Sequence, residues 1–139
     1  LYYTDDFGKF MNKLDPDCLT VGAEKRLVIP FFNSHGNVVA VQGRALTMQD
    51  EVNARYTAKY ITVKADKSID RLWYGLWRTN PDKRVYVVEG PIDSLFLQNS
   101  VAMVGVGLFK ETPIRFTDTT MTFILDNKTR NGQICSYIE

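Results

Sequence analysis

Cysteine and histidine are scarce in this chain. Cys18, Cys135 and His35 are the whole supply in 139 residues, and no CxxC pair occurs, so neither a disulfide framework nor a zinc site is supported. The two thiols are expected to be small apolar side chains in a reducing compartment. Long apolar runs are lacking as well. No stretch approaches the roughly 20 residues that span a bilayer, and the N-terminus lacks a basic-then-apolar signal pattern. A soluble, cytoplasmic protein without a membrane partner is expected. Charge of one sign is not in excess either, with 17 Lys and Arg against 16 Asp and Glu. Internal repeats and low-complexity linkers are absent.

What is present is a globular composition, 45% hydrophobic, which suits one domain or two small lobes sharing a core. Residue 1 is Leu, and the final GQICSYIE reads as a helix cut in mid-course, so a piece of a longer protein is expected. The charges are unevenly spread: Lys and Arg against Asp and Glu run 4 to 5 over residues 1–43, 9 to 5 over 44–84, and 4 to 6 over 85–139. The middle third is the basic part. On charge alone, a solvated face and a nucleic-acid surface are equally open.

Residues 1–25 read as a short helix, FGKFMNKL, and a turn. RLVIPFFNSHGNVVAVQGRAL holds two apolar runs around Asn33-Ser34-His35-Gly36-Asn37, a hairpin signal, with Pro30 pointing to an edge or a bulge. His35 belongs to that turn and has no cluster of potential ligands around it. KYITV reads as a strand and SIDRLWYGLWRTN as a turn or short helix. Trp73, Tyr74 and Trp77 there suit a core more readily than a base-stacking platform. From residue 85 the texture changes. VYVV is a strand, PIDSLFLQN a helix with Pro91 at its first position, VAMVGV and MTFIL are strands, and NGQICSYIE begins a helix. Strands alternating with short helices predict a parallel sheet.

Ligands of an open parallel sheet collect outside the carboxyl ends of its strands. Glu89 directly follows VYVV and Asp126 follows MTFIL, while Asp93, in the first helical turn, can point back to the same edge. Singly, each acid is explained by helix capping or by the helix dipole. Together, three carboxylates at one edge suit Mg²⁺, which takes about six oxygens and only a few of them from protein. Gly90 removes a side chain where a bound phosphate needs room.

These residues resemble a known pattern. VYVVEGPIDSLFLQNSVAMVGVGL is similar to the first motif of the TOPRIM fold, a hydrophobic strand then Glu-Gly-x-x-Asp, and TFILDN resembles its second, a strand then Asp-x-Asp. Upstream, RLVIPFFNSHGNVVAVQGRAL, KYITV and LWYGL resemble successive segments of bacterial-type, DnaG-like DNA primases, and DNKTRN resembles a string of certain tailed-phage primases. The likeness runs from about residue 26 to 139. It implies an α/β fold in which a TOPRIM-like, mainly parallel sheet with crossover helices (85–139, truncated at its C-terminal end) follows a small mixed α+β lobe (1–84).

It also implies template-directed synthesis of RNA primers on single-stranded DNA from NTPs, in the cytoplasm or, for a phage protein, the host's. Glu89, Asp93 and Asp126 would be the catalytic acids and would hold Mg²⁺ or Mn²⁺. Arg44 and Lys59 would hold template and nascent primer, Lys64, Lys67 and Arg71 are candidates for a further basic contact, and Gly90 and Lys128 would lie beside phosphate. A replicative helicase is the implied partner. The pattern departs at Lys128, where the second motif should carry an acid. A Lys supplies no ligand at neutral pH and opposes a cation, so either the metal is held more weakly, activity is lost, or Lys128 turns away to phosphate. A later acidic motif and a zinc module of such primases would lie outside the chain. Two rivals stay open: a degenerate, non-catalytic nucleic-acid-binding module, and a TOPRIM nuclease or topoisomerase fragment, although no nucleophilic Tyr is identified.

Overall fold

The computed structural model describes residues 1–18, 23–46, 58–104, 116 and 118–125. The chain divides into two compact units, Leu1–Leu72 and Trp73–Glu139. Among the described residues no helix is long and apolar enough to cross a membrane.

In the first unit, Asp6 starts helix α1 (Phe7–Leu14): its side chain accepts from the Lys9 N–H at 2.9 Å, a standard N-cap bond. The helix stops where Asp15 precedes Pro16 and takes up an extended conformation, as a residue before proline tends to. Phe7 and Met11, four apart and therefore on one face, are both buried. They lie on a four-stranded antiparallel sheet in the order β1-β2-β3-β4, made of β1 (Tyr2–Thr4), β2 (Arg26–Phe32), β3 (Val38–Ala45) and β4 (Tyr60–Lys64). Val28, Val41 and Val63 complete the cluster with Phe7 and Met11, and Leu14, Cys18 and Ile61 pack against it.

The predicted hairpin is present as β2 and β3. Asn33 closes its turn by accepting the N–H groups of His35 and Asn37 at 2.9 and 3.0 Å. Pro30 has the edge position expected of it: β1 pairs with Arg26 to Val28, so among the described residues β2 is outermost from residue 29 onward. At the centre of β3, a Cβ on Gly43 would come within 2.7 Å of three atoms of the fully buried Phe7 ring. Only glycine lets the helix lie this close to the sheet.

The second unit has a sheet in the order β5-β7-β6-β8, made of β5 (Leu72–Tyr74), β6 (Val85–Val88), β7 (Ser100–Val104) and β8 (Met121–Ile124). β6 runs parallel to both β7 and β8, with Val87 level with Val101 and Phe123. Val85, Val87, Val101, Met103 and Phe116 form its core, while Val88 and Ala102 are buried on the opposite face. A strand buried on both faces needs the near-continuous apolar run that VYVV supplies.

Two expectations change here. LWY, read as a turn or short helix, is strand β5, followed by a 3₁₀ turn, Leu76–Arg78. The helix expected over PIDSLFLQN is reduced to a 3₁₀ turn, Asp93–Phe96. The reason is competition for carbonyls. Ser100 Oγ lies 2.7 and 2.8 Å from the carbonyl oxygens of Ser94 and Leu97, to either of which it can donate its one proton, and Arg78 Nη2 donates to the Ser94 carbonyl at 2.9 Å. An α-helix would have to give the Ser94 carbonyl to a backbone N–H four residues on. The fold is therefore mixed α/β with little helix among the described residues. The closing segment NGQICSYIE lies outside them.

Gly43→Ala is expected to lower stability by about 1–3 kcal/mol, the usual cost of overpacking, read from the denaturant midpoint. Adding Phe7→Leu should recover part of the loss.

Candidate functional site

At the carboxyl end of β6 the chain turns through Glu89, Gly90 and buried Pro91 into the 3₁₀ turn that begins at Asp93. Ser94, fully buried, anchors this turn by donating from Oγ to the Pro91 carbonyl at 2.7 Å. The Asp93 carboxylate folds back: a Cβ on Gly90 would sit 2.6 Å from Asp93 Oδ2 and 3.6 Å from its Cγ. Glu89 is half-buried and Asp93 exposed. Two carboxylates are thus gathered at one strand end, and the glycine between them makes room for the second.

β8 runs beside β6 in the same direction, Val88 level with Ile124, so both strands end at one edge of the sheet. Asp126 and Lys128 lie outside the described residues, which end at Leu125 in this region. Among the described residues no group of three or more His, Cys, Asp or Glu gathers that could hold a metal. Glu89 and Asp93 are nonetheless hard oxygen donors at an open edge, which fits a cation that keeps several waters and takes one or two protein carboxylates.

The expected basic contacts belong to the first unit. Arg44 stands opposite Tyr60 in the β3–β4 register, with its guanidinium carbon 5.8 Å from the centre of the Tyr60 ring. Tyr60 is 41% exposed, and Lys59, exposed, immediately precedes it. Arg44 and an aromatic face are therefore paired where β4 begins, with exposed Lys59 next in the chain before Tyr60. Lys64 is occupied locally, since its Nζ donates to the carbonyls of Ile69 and Asp70 at 2.6 and 2.9 Å. Lys67 pairs with Asp15 at 3.1 Å, and the hydrogen bond and charge of Asp15 hold the ammonium's pKa above its ordinary value. Arg71 is half-buried at the entry to β5. Charge alone did not single out Tyr60 or buried Arg26. The signal for Tyr60 was an aromatic beside a lysine on a strand facing the Gly43-Arg44 pair, and for Arg26 it was a cation opening an otherwise apolar strand.

With this geometry in place, comparison with known proteins is informative. The chain is 37% identical over 132 residues to the DNA primase of Enterobacteria phage T4, covering 94% of the chain and 36% of that protein. Among solved structures it is similar to the primase of Aquifex aeolicus (zinc-binding and RNA polymerase domains), with a TM-score of 0.57 at 22% identity, over 73% of this chain and 27% of that one. A DnaG primase catalytic domain bound to single-stranded DNA is also similar, with a TM-score of 0.51 at 23% identity, over 80% of this chain and 38% of that one. At these identities the two structures show a shared fold. No family model matches.

Gly90→Ala is expected to leave stability nearly unchanged, within about 0.5 kcal/mol, because only the flexible end of Asp93 must move. Displacing that carboxylate should weaken Mn²⁺ binding on the order of tenfold, measured by the loss of free Mn²⁺ signal in an electron paramagnetic resonance titration.

Proposed function

We infer that this chain, a relative of a phage DNA primase over nearly all of its length, forms the central part of an enzyme that lays RNA primers on single-stranded DNA. The observation that carries this is the 37% identity, which extends across 94% of the chain. A match of that extent spans the strand-turn segment in which Asp93 folds back over Gly90. The chain spans 36% of that relative's length, so the rest of the polymerising unit would lie elsewhere in the parent protein. We read the second sheet as TOPRIM-type. Its parallel β7-β6-β8 order and the Glu89-Gly90-Pro91-Ile92-Asp93 turn at the end of β6 support that reading.

In this reading a primer 3′-hydroxyl attacks the α-phosphate of an incoming NTP and pyrophosphate leaves. Glu89 and Asp93 would hold a divalent cation, Mg²⁺ or Mn²⁺, together with Asp126. Bound there, the cation would offset the charge of the triphosphate. Glu89 would also take the proton of the attacking hydroxyl. The space that Gly90 leaves free is taken by the Asp93 carboxylate rather than by a phosphate, and would let that carboxylate reach the cation. Arg44 and Lys59 would contact template and primer phosphates, and such contacts fix register without reading sequence. Tyr60 offers a ring face on which a base could stack, a contact that tolerates any sequence. A replicative helicase is the partner such an enzyme would work with, in the compartment where DNA is replicated.

A second reading has one feature in its favour. Lys128 stands where an acid is expected, and a non-catalytic module that binds single strands would tolerate it. The two readings differ in what Glu89→Gln does to the intact parent protein. As a primase, the variant should lose divalent-metal-dependent primer synthesis by a factor of at least about 100, a typical contribution of one acid–base group, and still bind single-stranded DNA. Retained synthesis would remove Glu89 from the site.

A further inference from the structure

Arg26, at 1% exposure, is the one charged residue among the fully buried described side chains. Its Nε donates to Glu24 Oε2 at 2.7 Å, and Nη2 lies equally close to the same oxygen. Nη1 donates to the carbonyls of Gly43 and Lys59 at 3.0 and 3.3 Å, and Nη2 to that of Ala58 at 3.0 Å. The guanidinium carbon also lies 5.7 Å from the centre of the Phe7 ring.

Two of these partners are consecutive carbonyls immediately before Tyr60, at the point where the chain enters β4. The Lys59 carbonyl is held a second time, by the Ala45 N–H at 3.0 Å. Arg44, next to both Gly43 and Ala45, faces Tyr60 across this junction. Arg26 is too deeply buried to meet a polymer arriving from solvent. Its fork reaches instead the backbone from which Lys59 and Tyr60 project and the strand that carries Arg44.

We propose that Arg26 is a positioning residue for nucleic-acid binding: by gripping the carbonyls of Ala58 and Lys59, it sets the direction in which Lys59 meets a phosphate backbone beside the Arg44–Tyr60 pair. The proposal rests on the primase reading of this unit. A lysine at this position cannot substitute. Its ammonium carries three donors at one point, whereas the guanidinium spreads five over a rigid fork, and only a fork spans Glu24 on one side and three carbonyls on the other.

The test is a double-mutant cycle on single-stranded DNA binding by the full chain, followed against salt concentration. Arg26→Lys and Lys59→Ala are each expected to lower the slope of log affinity against log salt by about 0.7, the share of one phosphate contact on a single strand. The double variant should lower it no further than either alone, because Arg26 acts through Lys59. A purely structural Arg26 would lower the melting temperature and leave the slope of the folded protein unchanged. That result, or additive losses in the double variant, would overturn the proposal. Should Arg26→Lys fail to give a cooperative thermal melt, Glu24→Gln takes its place in the cycle with the same expectation, since it weakens the hold on the guanidinium and leaves every carbonyl intact. If the wild-type chain does not bind single strands, the primase reading of this unit falls and the proposal with it. If it binds and the cycle is additive, the proposal alone falls.

Discussion

A guanidinium taken out of water must find partners for its N–H groups, because an uncompensated buried charge costs several kcal/mol. In the first unit that requirement is met at Arg26 by elements far apart in sequence. Glu24 supplies the counter-charge, Gly43 a carbonyl from the middle of β3, and Ala58 and Lys59 carbonyls from the entry to β4. Phe7 supplies a ring face from the first turn of α1. Gly43 takes part twice, since its missing side chain is also what lets the Phe7 ring approach. Helix, hairpin and fourth strand thus converge on one cation, and a shift of the hairpin or of the entry to the fourth strand weakens its hydrogen bonds.

The second unit solves a different problem. A strand buried on both faces brings its apolar residues into a core and leaves its ends as the places where polar groups can emerge. Glu89 and Asp93 emerge there. The turn that carries them is held by a small polar network rather than by a long helix: Ser94 binds Pro91, Ser100 binds the carbonyls of Ser94 and Leu97, and Arg78 binds Ser94 through both its carbonyl and its hydroxyl. Two consequences follow for chemistry. The acids sit on a short, anchored turn, and the carbonyls that a helix would have consumed are satisfied by the side chains of Ser94, Ser100 and Arg78, the last of these upstream of the motif.

How much of this could be read from the sequence follows the range of the interactions. FGKFMNKL was legible as a helix because its cap, its face and its stop are all local. The hairpin around Asn33 to Asn37 was legible because the Asn33 side chain closes its own turn. VYVV followed by Glu89 was legible because continuous burial leaves a continuous apolar run. PIDSLFLQN carried every local sign of a helix, with Pro91 at its start and Asp93 in its first turn, and the signs were overridden by Arg78 and Ser100, which no local rule brings into view. LWY was too short to show a period of any kind. At the site, the resemblance to primases marked Lys64 and Lys67 alongside Arg44 and Lys59 without indicating that Lys64 closes its own loop or that Lys67 is paired with Asp15. Gly90 was legible as a position that needs room, and the structure adds that the Asp93 carboxylate is what occupies it.

In the function proposed for this chain, nucleic-acid contacts would lie on the first unit and phosphoryl-transfer groups on the second. The most direct test supplies the intact parent protein with a single-stranded DNA template, labelled ribonucleoside triphosphates and Mg²⁺ or Mn²⁺, and resolves the products on a denaturing gel. The account predicts short labelled ribonucleotide chains that disappear when template or divalent cation is omitted. Cleavage or relaxation of DNA without any labelled product, or no metal-dependent reaction at all, would contradict it.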